Sequence, residues 1–141
     1  KPWNESWAKK EVESEFMDYF KRPDLNLLVC AAEKGIVGFS VAYRLDADAF
    51  PFIGKRLGSM KLAYGDELAV LPEYRNIGIA TEMLGMRRIF YESKGYDGLI
   101  GRTDIDSRMV SLYETLGFKN TGIQDPKYTK RWYYLRLLRE D

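Results

Sequence analysis

The chain contains no histidine and only one cysteine, Cys30, among its 141 residues. Without histidine, Ser-His and Cys-His nucleophile pairs, imidazole general bases and histidine-ligated zinc sites are excluded. A single cysteine cannot form an internal disulfide or a CxxC redox or zinc site, and it fits a small apolar residue in a reducing compartment. Acid or base chemistry must therefore come from carboxylates, tyrosine, lysine or the main chain.

The sequence also lacks long apolar runs and an excess of one charge. No segment approaches the roughly 18 apolar residues that cross a bilayer, and no signal peptide is recognisable, so we expect a cytoplasmic protein without a membrane partner. The 22 Lys and Arg residues nearly balance the 21 Asp and Glu residues, for a formal net charge of +1. That balance disfavours a nucleic-acid partner, and the basic residues near the C-terminus alternate with aromatics as in an ordinary outer strand.

What is present fits one folded domain. The chain is 45% apolar and 14% aromatic, which at this length provides a substantial core without a metal or disulfide. No repeat, low-complexity tract or composition break divides it. We therefore predict a single domain over residues 1–141.

Hydrophobic periodicity predicts the order of helices and strands. The predicted helices span residues 5–20, 77–94 and 107–116, the last with Asp106 as its N-cap. The predicted strands span residues 25–32, 36–45, 62–71, 99–103, 118–124 and 131–138, and residues 34–35 form a hairpin turn. Residues 46–61 show no sustained period and are predicted to be a long loop, either a binding element or an insertion that packs its own aromatics. Arg87 falls within the apolar arc of its helix, where we expect it to snorkel towards solvent.

The segment from Asp66 to Thr81 combines a strand, a short turn and a helix that opens on Gly78. The first turn of a helix leaves four N–H groups unpaired and carries a partial positive charge, so an anion such as a pyrophosphate fits there. Gly78 and Ala80 would let the anion approach the amides closely, and Arg75 would add charge. No P-loop or GxGxxG pattern is present, and a plain strand-to-helix turn explains the same residues.

Two motifs in the same order resemble the GNAT N-acetyltransferase superfamily. Residues 75–80, Arg-Asn-Ile-Gly-Ile-Ala, are similar to its Q/R-x-x-G-x-G/A signature, and residues 111–118, Ser-Leu-Tyr-Glu-Thr-Leu-Gly-Phe, are similar to its later LYexxGF segment. The resemblance extends from residue 25 to the C-terminus, although the family's usual first strand is not evident. Ala80 stands where glycine is more usual, and Gly101 stands where some relatives have a glutamate base.

The resemblance implies an α/β (α+β) fold with a mixed, mostly antiparallel twisted sheet flanked by helices. It also implies direct transfer of acetyl from acetyl-CoA to an amine, with neither a covalent enzyme intermediate nor a metal. In such folds the fourth strand is bulged and splays from the fifth, so that pantetheine pairs with its main chain. The residues that would contact the cofactor are Leu68, Ala69, Val70, Arg75, Asn76, Ile77, Gly78, Ile79, Ala80, Thr81 and, peripherally, Asp106. The amide of Leu68 or Ala69 would stabilise the oxyanion.

The same resemblance makes Tyr113 the general acid that protonates the departing thiolate. On periodicity alone Tyr113 is a core aromatic, in one helical stripe with Met109, Leu112 and Leu116. Asp66 and Glu67 are the candidate bases, with Glu67 favoured, and solvated acids at a strand end are the alternative. Strand alternation would put Asp66 and Glu67 on opposite faces of the sheet, unless a bulge shifts the alternation.

These observations predict an acetyl-CoA-dependent N-acetyltransferase that acts on a primary amine of a small molecule. Two alternatives stay open: a protein or peptide N-acetyltransferase with a groove beside residues 46–61, and a catalytically inactive acyl-CoA-binding module. The apolar final strand also provides an edge at which a homodimer would form.

Overall fold

The computed structural model of the protein describes residues 14, 16–33 and 35–139. A six-stranded sheet has the order β1-β2-β3-β4-β6-β5. The strands are β1 (Asn26–Ala32), β2 (Gly35–Arg44), β3 (Leu62–Val70), β4 (Gly98–Asp104), β5 (Lys119–Gln124) and β6 (Arg131–Leu137). The helices are α1 (Pro51–Leu57), α2 (Ile79–Ser93) and α3 (Met109–Thr115), with a 3-10 turn at Pro72–Tyr74.

All neighbouring strands are antiparallel except β3 and β4, which are parallel. The helix α2 crosses over between these two strands, as a parallel pair requires. The predicted α/β fold with a mixed, mostly antiparallel sheet is thus confirmed. Each predicted strand agrees with the observed one to within one residue at either end, because each is an alternating or continuously apolar run bounded by turn residues.

The sheet separates two hydrophobic cores. We call the side that carries Ile53 and Tyr43 the α1 face, and the side that carries Tyr91 and Tyr113 the α2 face. Both cores are rich in buried tyrosine rings. Strand alternation assigns neighbouring residues of one strand to different cores: Tyr43 belongs to the first and Ala42 to the second.

The predicted loop over residues 46–61 is wrong in part, because residues 51–57 form the helix α1. Pro51 occupies the first turn, where its missing N–H costs nothing, and Ile53 is only 1% exposed. The neighbouring rings pack on the sheet, Phe50 at 5.3 Å from Tyr64 and Phe52 at 5.6 Å from Tyr133, between centroids. Seven residues are too few to show a helical period, so tertiary burial defines this helix.

Most of the predicted helix over residues 5–20 lies outside the described residues, as does Lys34 of the predicted hairpin turn. Residues 16–19 are helical, in agreement with the prediction. Tyr19 packs on the α1 face, with its ring centroid 6.4 Å from that of Tyr43. Within the described ranges no helix has the length and apolar character needed to span a membrane.

The prediction that Asp106 caps the helix α3 is also wrong. The helix begins at Met109, whose N–H donates to the Ser107 hydroxyl at 3.1 Å. A turn closed by the Ser107 N–H and the Asp104 carbonyl, 2.9 Å apart, leaves Asp106 outside the helix. Its exposed carboxylate lies 3.8 Å from the Lys130 ammonium, so a surface ion pair takes the place of the expected cap.

Candidate active site

The strand β3 carries a bulge at Asp66. Along the β2–β3 ladder, Val41 lies opposite Glu67 and Ala42 lies opposite Gly65, so Asp66 is the extra residue. Such an insertion bends the strand and increases its local twist. This is the irregularity that the resemblance implied for the strand before the glycine turn.

Directly at the bulge, β3 and β4 part. Their parallel ladder runs from Leu62 and Gly98 to Gly65 and Gly101 and goes no further. We call this last pair, Gly65 and Gly101, the fork. Beyond the fork, residues 67–70 of β3 continue to pair with β2 while β4 pairs with β6, so the other edge of the β3 main chain has no neighbouring strand. Free N–H and C=O groups on such an edge accept an added strand or an extended ligand.

A cavity of about 540 Å³ lies along this free edge. It reaches from the end of β3 to the start of α2 and to the start of α3. Nine of the eleven residues predicted to bind the cofactor line it: Leu68, Ala69, Val70, Arg75, Asn76, Gly78, Ile79, Ala80 and Thr81. The structure does not bring Ile77 and Asp106 to its lining, and the Ile77 side chain is 69% exposed.

Five further residues line the cavity that the sequence did not identify. They are Tyr74, Ser107, Arg108, Met109 and Leu112. Four of them belong to the start of α3 and the turn before it. These residues are distant from α2 along the chain and border the same cavity only in the folded protein. The LYexxGF segment was a signal for this helix, but not for which of its side chains border the cavity.

The turn before α2 needs two residues in the left-handed region. Asn76 has φ +65° and Gly78, the N-cap of α2, has φ +94°. Asparagine and glycine tolerate this conformation best. No side chain caps the helix, so the N–H groups of its first turn are directed towards the cavity mouth without a side-chain acceptor. A partial positive charge at the start of this 15-residue helix favours an anion there.

Arg75 connects the turn before α2 to the strand β3 by a hydrogen bond. Its Nε donates to the carbonyl oxygen of Val70 at 2.9 Å, while the residue as a whole stays exposed. At Gly38 the main chain of β2 approaches β3 and α2 closely. A Cβ there would lie 3.1 Å from the Ala69 carbonyl and 3.6 Å from the Ile79 side chain. The end of β3 and the start of α2 are thus held next to each other, which gives the cavity mouth its shape.

Tyr113 lies directly at the fork. It is 5% exposed, and its ring packs on Phe118 at 4.6 Å and on Tyr134 at 5.7 Å between centroids. A Cβ at Gly101 would overlap the Tyr113 hydroxyl. The packing of the phenol thus requires glycine at position 101, where some relatives have a glutamate. Burial raises the pKa of Tyr113 and the charge of Arg87 lowers it, with burial the larger effect, so the phenol is neutral at pH 7.

Arg87 does not snorkel, contrary to the sequence-based expectation. It is 3% exposed, and its Nη2 donates to the Ser40 hydroxyl at 2.7 Å. Its Nη1 lies over Gly65, where a Cβ would overlap it. Glycine therefore provides the space for a guanidinium on the sheet, a fact that helical periodicity cannot show. Burial lowers the pKa of Arg87, although a guanidinium stays protonated at neutral pH.

On the α1 face of the fork, the Tyr43 hydroxyl donates to the Asp66 carboxylate at 2.7 Å. Burial, followed by the hydrogen bond to Asp66, raises the pKa of Tyr43. Burial likewise raises the pKa of Tyr64. Glu67 pairs in register with Val41, a residue of the α1-face core, so the bulge assigns both candidate bases to the same face.

The described residues contain no group of three His, Cys, Asp or Glu side chains that could hold a metal ion. Cys30 is a free thiol on β1, two strands away from β3. The groups at the fork that can take part in chemistry include main-chain amides, Tyr113, Asp66, Glu67 and Arg87.

These features fit the shape and charge of a coenzyme A thioester. A cavity of about 540 Å³ lies within the usual range for small-molecule sites, roughly 300–1,000 Å³. The free edge of β3 suits the amides of a pantetheine arm, and the mouth of α2 suits a pyrophosphate. The fork lies where the reacting end of such a ligand would come to rest.

Comparison with solved structures finds the same fold in other proteins. Ard1 from Thermoplasma volcanium superposes with a TM-score of 0.73, at 13% identity over 98% of this chain and 84% of that one. An N-acetyltransferase from Staphylococcus aureus Mu50 gives a TM-score of 0.72, at 17% identity over 96% and 80%. A GNAT family acetyltransferase from Elizabethkingia anophelis with acetyl-CoA bound gives 0.64, at 18% identity over 92% and 83%. At these identities the likeness shows a shared fold.

No curated protein sequence gives a significant match to the chain. The sequence profile of the acetyltransferase (GNAT) domain, in contrast, matches residues 23–120. This range includes the bulged strand, the glycine turn and Tyr113. Since the match covers well over half of the sequence, the protein belongs to the GNAT acetyltransferase family.

Proposed function

We propose that the protein is an acetyl-CoA-dependent N-acetyltransferase that transfers acetyl directly to the primary amine of a small molecule. The observation that carries the proposal is the cavity that joins the mouth of α2 to the free edge of β3 beside the fork. Its two ends supply an anion site and a hydrogen-bonding edge in the order that a pyrophosphate and a pantetheine arm require.

In this proposal the cofactor is bound mainly by main-chain groups. The amides at the start of α2, from Gly78 to Thr81, bind the pyrophosphate, and Arg75 adds a positive charge beside it. Leu68, Ala69 and Val70 pair with the pantetheine along the free edge of β3. Such contacts aim the thioester at the fork, where the acceptor amine arrives from the α1 face.

The reaction then proceeds through one tetrahedral intermediate. The neutral amine attacks the thioester carbonyl, and the amide of Leu68 or Ala69 stabilises the resulting oxyanion. As the intermediate collapses, the C–S bond breaks and the Tyr113 phenol donates its proton to the departing thiolate. The products are the acetylated amine and CoA, and no acyl group is bound to the protein at any stage.

An alkylamine is mostly protonated at neutral pH, so the reaction also needs a base. Glu67 is the favoured candidate, acting directly or through a water, and Asp66, whose carboxylate accepts the Tyr43 hydroxyl at 2.7 Å, is the alternative. Both carboxylates belong to the α1 face, on the side from which the amine would approach.

We expect Glu67→Gln to lower kcat/KM for the amine by about 10²-fold at pH 7, with a smaller loss for the matched variant Asp66→Asn. The loss should shrink as the pH rises towards the pKa of the free amine, because the unprotonated substrate then no longer needs the base. Steady-state rates measured across this pH range check both points. A larger loss for Asp66→Asn would move the role to Asp66, and full activity of both variants would exclude either carboxylate as the base.

The release of free CoA from acetyl-CoA tests the proposed function itself. We expect release with at least one amine in a panel of small primary amines, and none without an acceptor. Release only with peptides that carry a free N-terminus or lysine would identify a protein or peptide acetyltransferase instead. Heat of acetyl-CoA binding in a calorimeter without release for any acceptor would identify a binding module that has lost catalysis.

A further inference from the structure

Arg87 is a buried charge with no carboxylate in contact with it among the residues that the structure describes. Its hydrogen bonds go to neutral oxygens: the Ser40 hydroxyl at 2.7 Å, the Glu67 carbonyl at 3.3 Å and the Val41 carbonyl at 3.4 Å. Its Nε has no hydrogen-bond partner in the described part of the chain. A buried cation without a counter-ion reduces stability, and an apolar residue would continue the buried arc of α2 without that cost. The charge at this position therefore calls for a functional explanation.

The guanidinium and the Tyr113 phenol occupy adjacent places on the α2 face of the fork. A Cβ at Gly65 would overlap the Arg87 Nη1, and a Cβ at Gly101 would overlap the Tyr113 hydroxyl. Gly65 and Gly101 are register partners in neighbouring strands, so their Cα atoms are about 4.8 Å apart. The two glycines thus make room, side by side, for the cation and the phenol.

The same guanidinium also binds the bulge. Glu67 and Val41, whose carbonyl oxygens accept from Nη2, are the register pair next to the extra residue Asp66. The residue after Glu67 is Leu68, the first along the cavity. Arg87 therefore connects the buried side of the bulge to the strand segment that borders the cavity.

We propose that Arg87 is a positioning residue for acetyl transfer: the bulged main chain of β3 fixes its guanidinium, which holds a positive charge beside the Tyr113 phenol. The inference rests on the proposed function. When the phenol O–H bond breaks and the S–H bond of CoA forms, the oxygen of Tyr113 is left with a negative charge, until a proton from solvent restores the phenol. A neighbouring cation stabilises this phenolate most strongly where water is excluded.

The other ionisable groups around the phenol do not supply that charge. The ring of Tyr134 from β6 packs on Tyr113, whereas Tyr64 and Asp66 of β3 act from the opposite face of the sheet. Burial raises the pKa of Tyr113, and Arg87 is the group that lowers it. Without Arg87 the phenol would be a weaker acid towards the departing thiolate.

Kinetics of paired variants separate this role from a structural one. The substitution Arg87→Met is combined with Ser40→Ala, so that no buried hydroxyl loses its partner, and Ser40→Ala alone is the control. We expect the double variant to unfold at the same or a higher urea concentration than the control, because a buried charge is replaced by apolar atoms. Its kcat should fall by about 10- to 100-fold, with KM for acetyl-CoA unchanged.

The decisive comparison repeats Arg87→Met in a Tyr113→Phe background. If Arg87 acts through the phenol, the substitution has little further effect on kcat there. An equal loss of kcat in both backgrounds, or a loss that follows the unfolded fraction in urea, overturns the proposal.

A second measurement does not depend on activity. Tyr113 is replaced by 3-fluorotyrosine, a close isostere with a more acidic phenol, and its ionisation is followed by the ¹⁹F chemical shift. We expect ionisation at higher pH in the Ser40→Ala and Arg87→Met double variant than in the Ser40→Ala control. An unchanged or lower ionisation pH overturns the inference about Arg87 even if the unmodified protein is an active acetyltransferase. An unmodified protein that releases no CoA with any acceptor instead refutes the proposed function.

Discussion

Replacing Tyr113 by phenylalanine is expected to lower kcat by about 10²- to 10⁴-fold while the affinity for acetyl-CoA stays nearly unchanged. Phenylalanine keeps the ring contacts with Phe118 and Tyr134 and removes only the hydroxyl at the fork. The thiolate then has to leave without a proton from the protein. Because the cavity is lined by other residues, the binding contacts of the cofactor are retained.

The matched control for this prediction is Tyr134→Phe, which alters another buried tyrosine of the same core. Both variants lose one phenol hydroxyl from the α2-face core, and only Tyr113 has its hydroxyl against Gly101. Turnover should therefore fall in Tyr113→Phe alone, with calorimetry showing similar acetyl-CoA affinity in both. Normal turnover of Tyr113→Phe would remove the phenol from the mechanism, and with it the reason for the neighbouring cation.

The second large effect is expected at the turn before α2. Gly78→Val should weaken acetyl-CoA binding by about 10²-fold, since left-handed backbone costs an L-residue roughly 1–2 kcal/mol and each lost charge-assisted hydrogen bond roughly 1.5–3 kcal/mol. Gly78 has φ +94°, a conformation that a β-branched residue strongly disfavours. If the turn relaxes to accommodate valine, the amides of the first helical turn no longer point at a common centre.

Titration calorimetry with acetyl-CoA measures this effect directly, and Gly85→Ala provides the control. Gly85 lies in the middle of α2, where a Cβ would meet no atom within 4 Å, so alanine should stabilise the helix without altering the mouth. Equal affinities of Gly78→Val and the unmodified protein would mean that the pyrophosphate binds elsewhere. Loss of affinity in both variants would indicate a general effect on α2.

Several parts of this fold follow from local patterns that need no tertiary contact to be visible. The strands were predicted to within one residue because each is an alternating or continuously apolar run bounded by turn residues. The start of α2 was predicted from Gly78, although the helix proper begins two residues later than the periodicity suggested, at Ile79. The apolar residue Ile77 continues the helical pattern towards the N-terminus, beyond the N-cap Gly78 at which the helix starts.

Other elements depend on contacts between distant segments. The helix α1 forms because Ile53 is buried and Phe50 and Phe52 are partly buried against the sheet, and its seven residues are too few to carry a period of their own. Asp106 is a suitable cap by residue type, but the turn closed by Ser107 and Asp104 starts α3 later. In both cases a contact with another part of the chain outweighs a local preference.

The sequence by itself determined the glycine turn and the LYexxGF segment, since each is encoded in residues that are close along the chain, and the family resemblance that these motifs carry implied the sheet type. Only the tertiary structure decided that Gly65 and Gly101 pair at the fork, with Arg87 over one and Tyr113 over the other. The register of a parallel pair depends on the helix that crosses between its strands, and no local pattern reports it. Arg87 lies on the apolar arc of its helix by pattern, but its charge predicts that it reaches solvent; it is instead buried where the missing side chain of Gly65 leaves space.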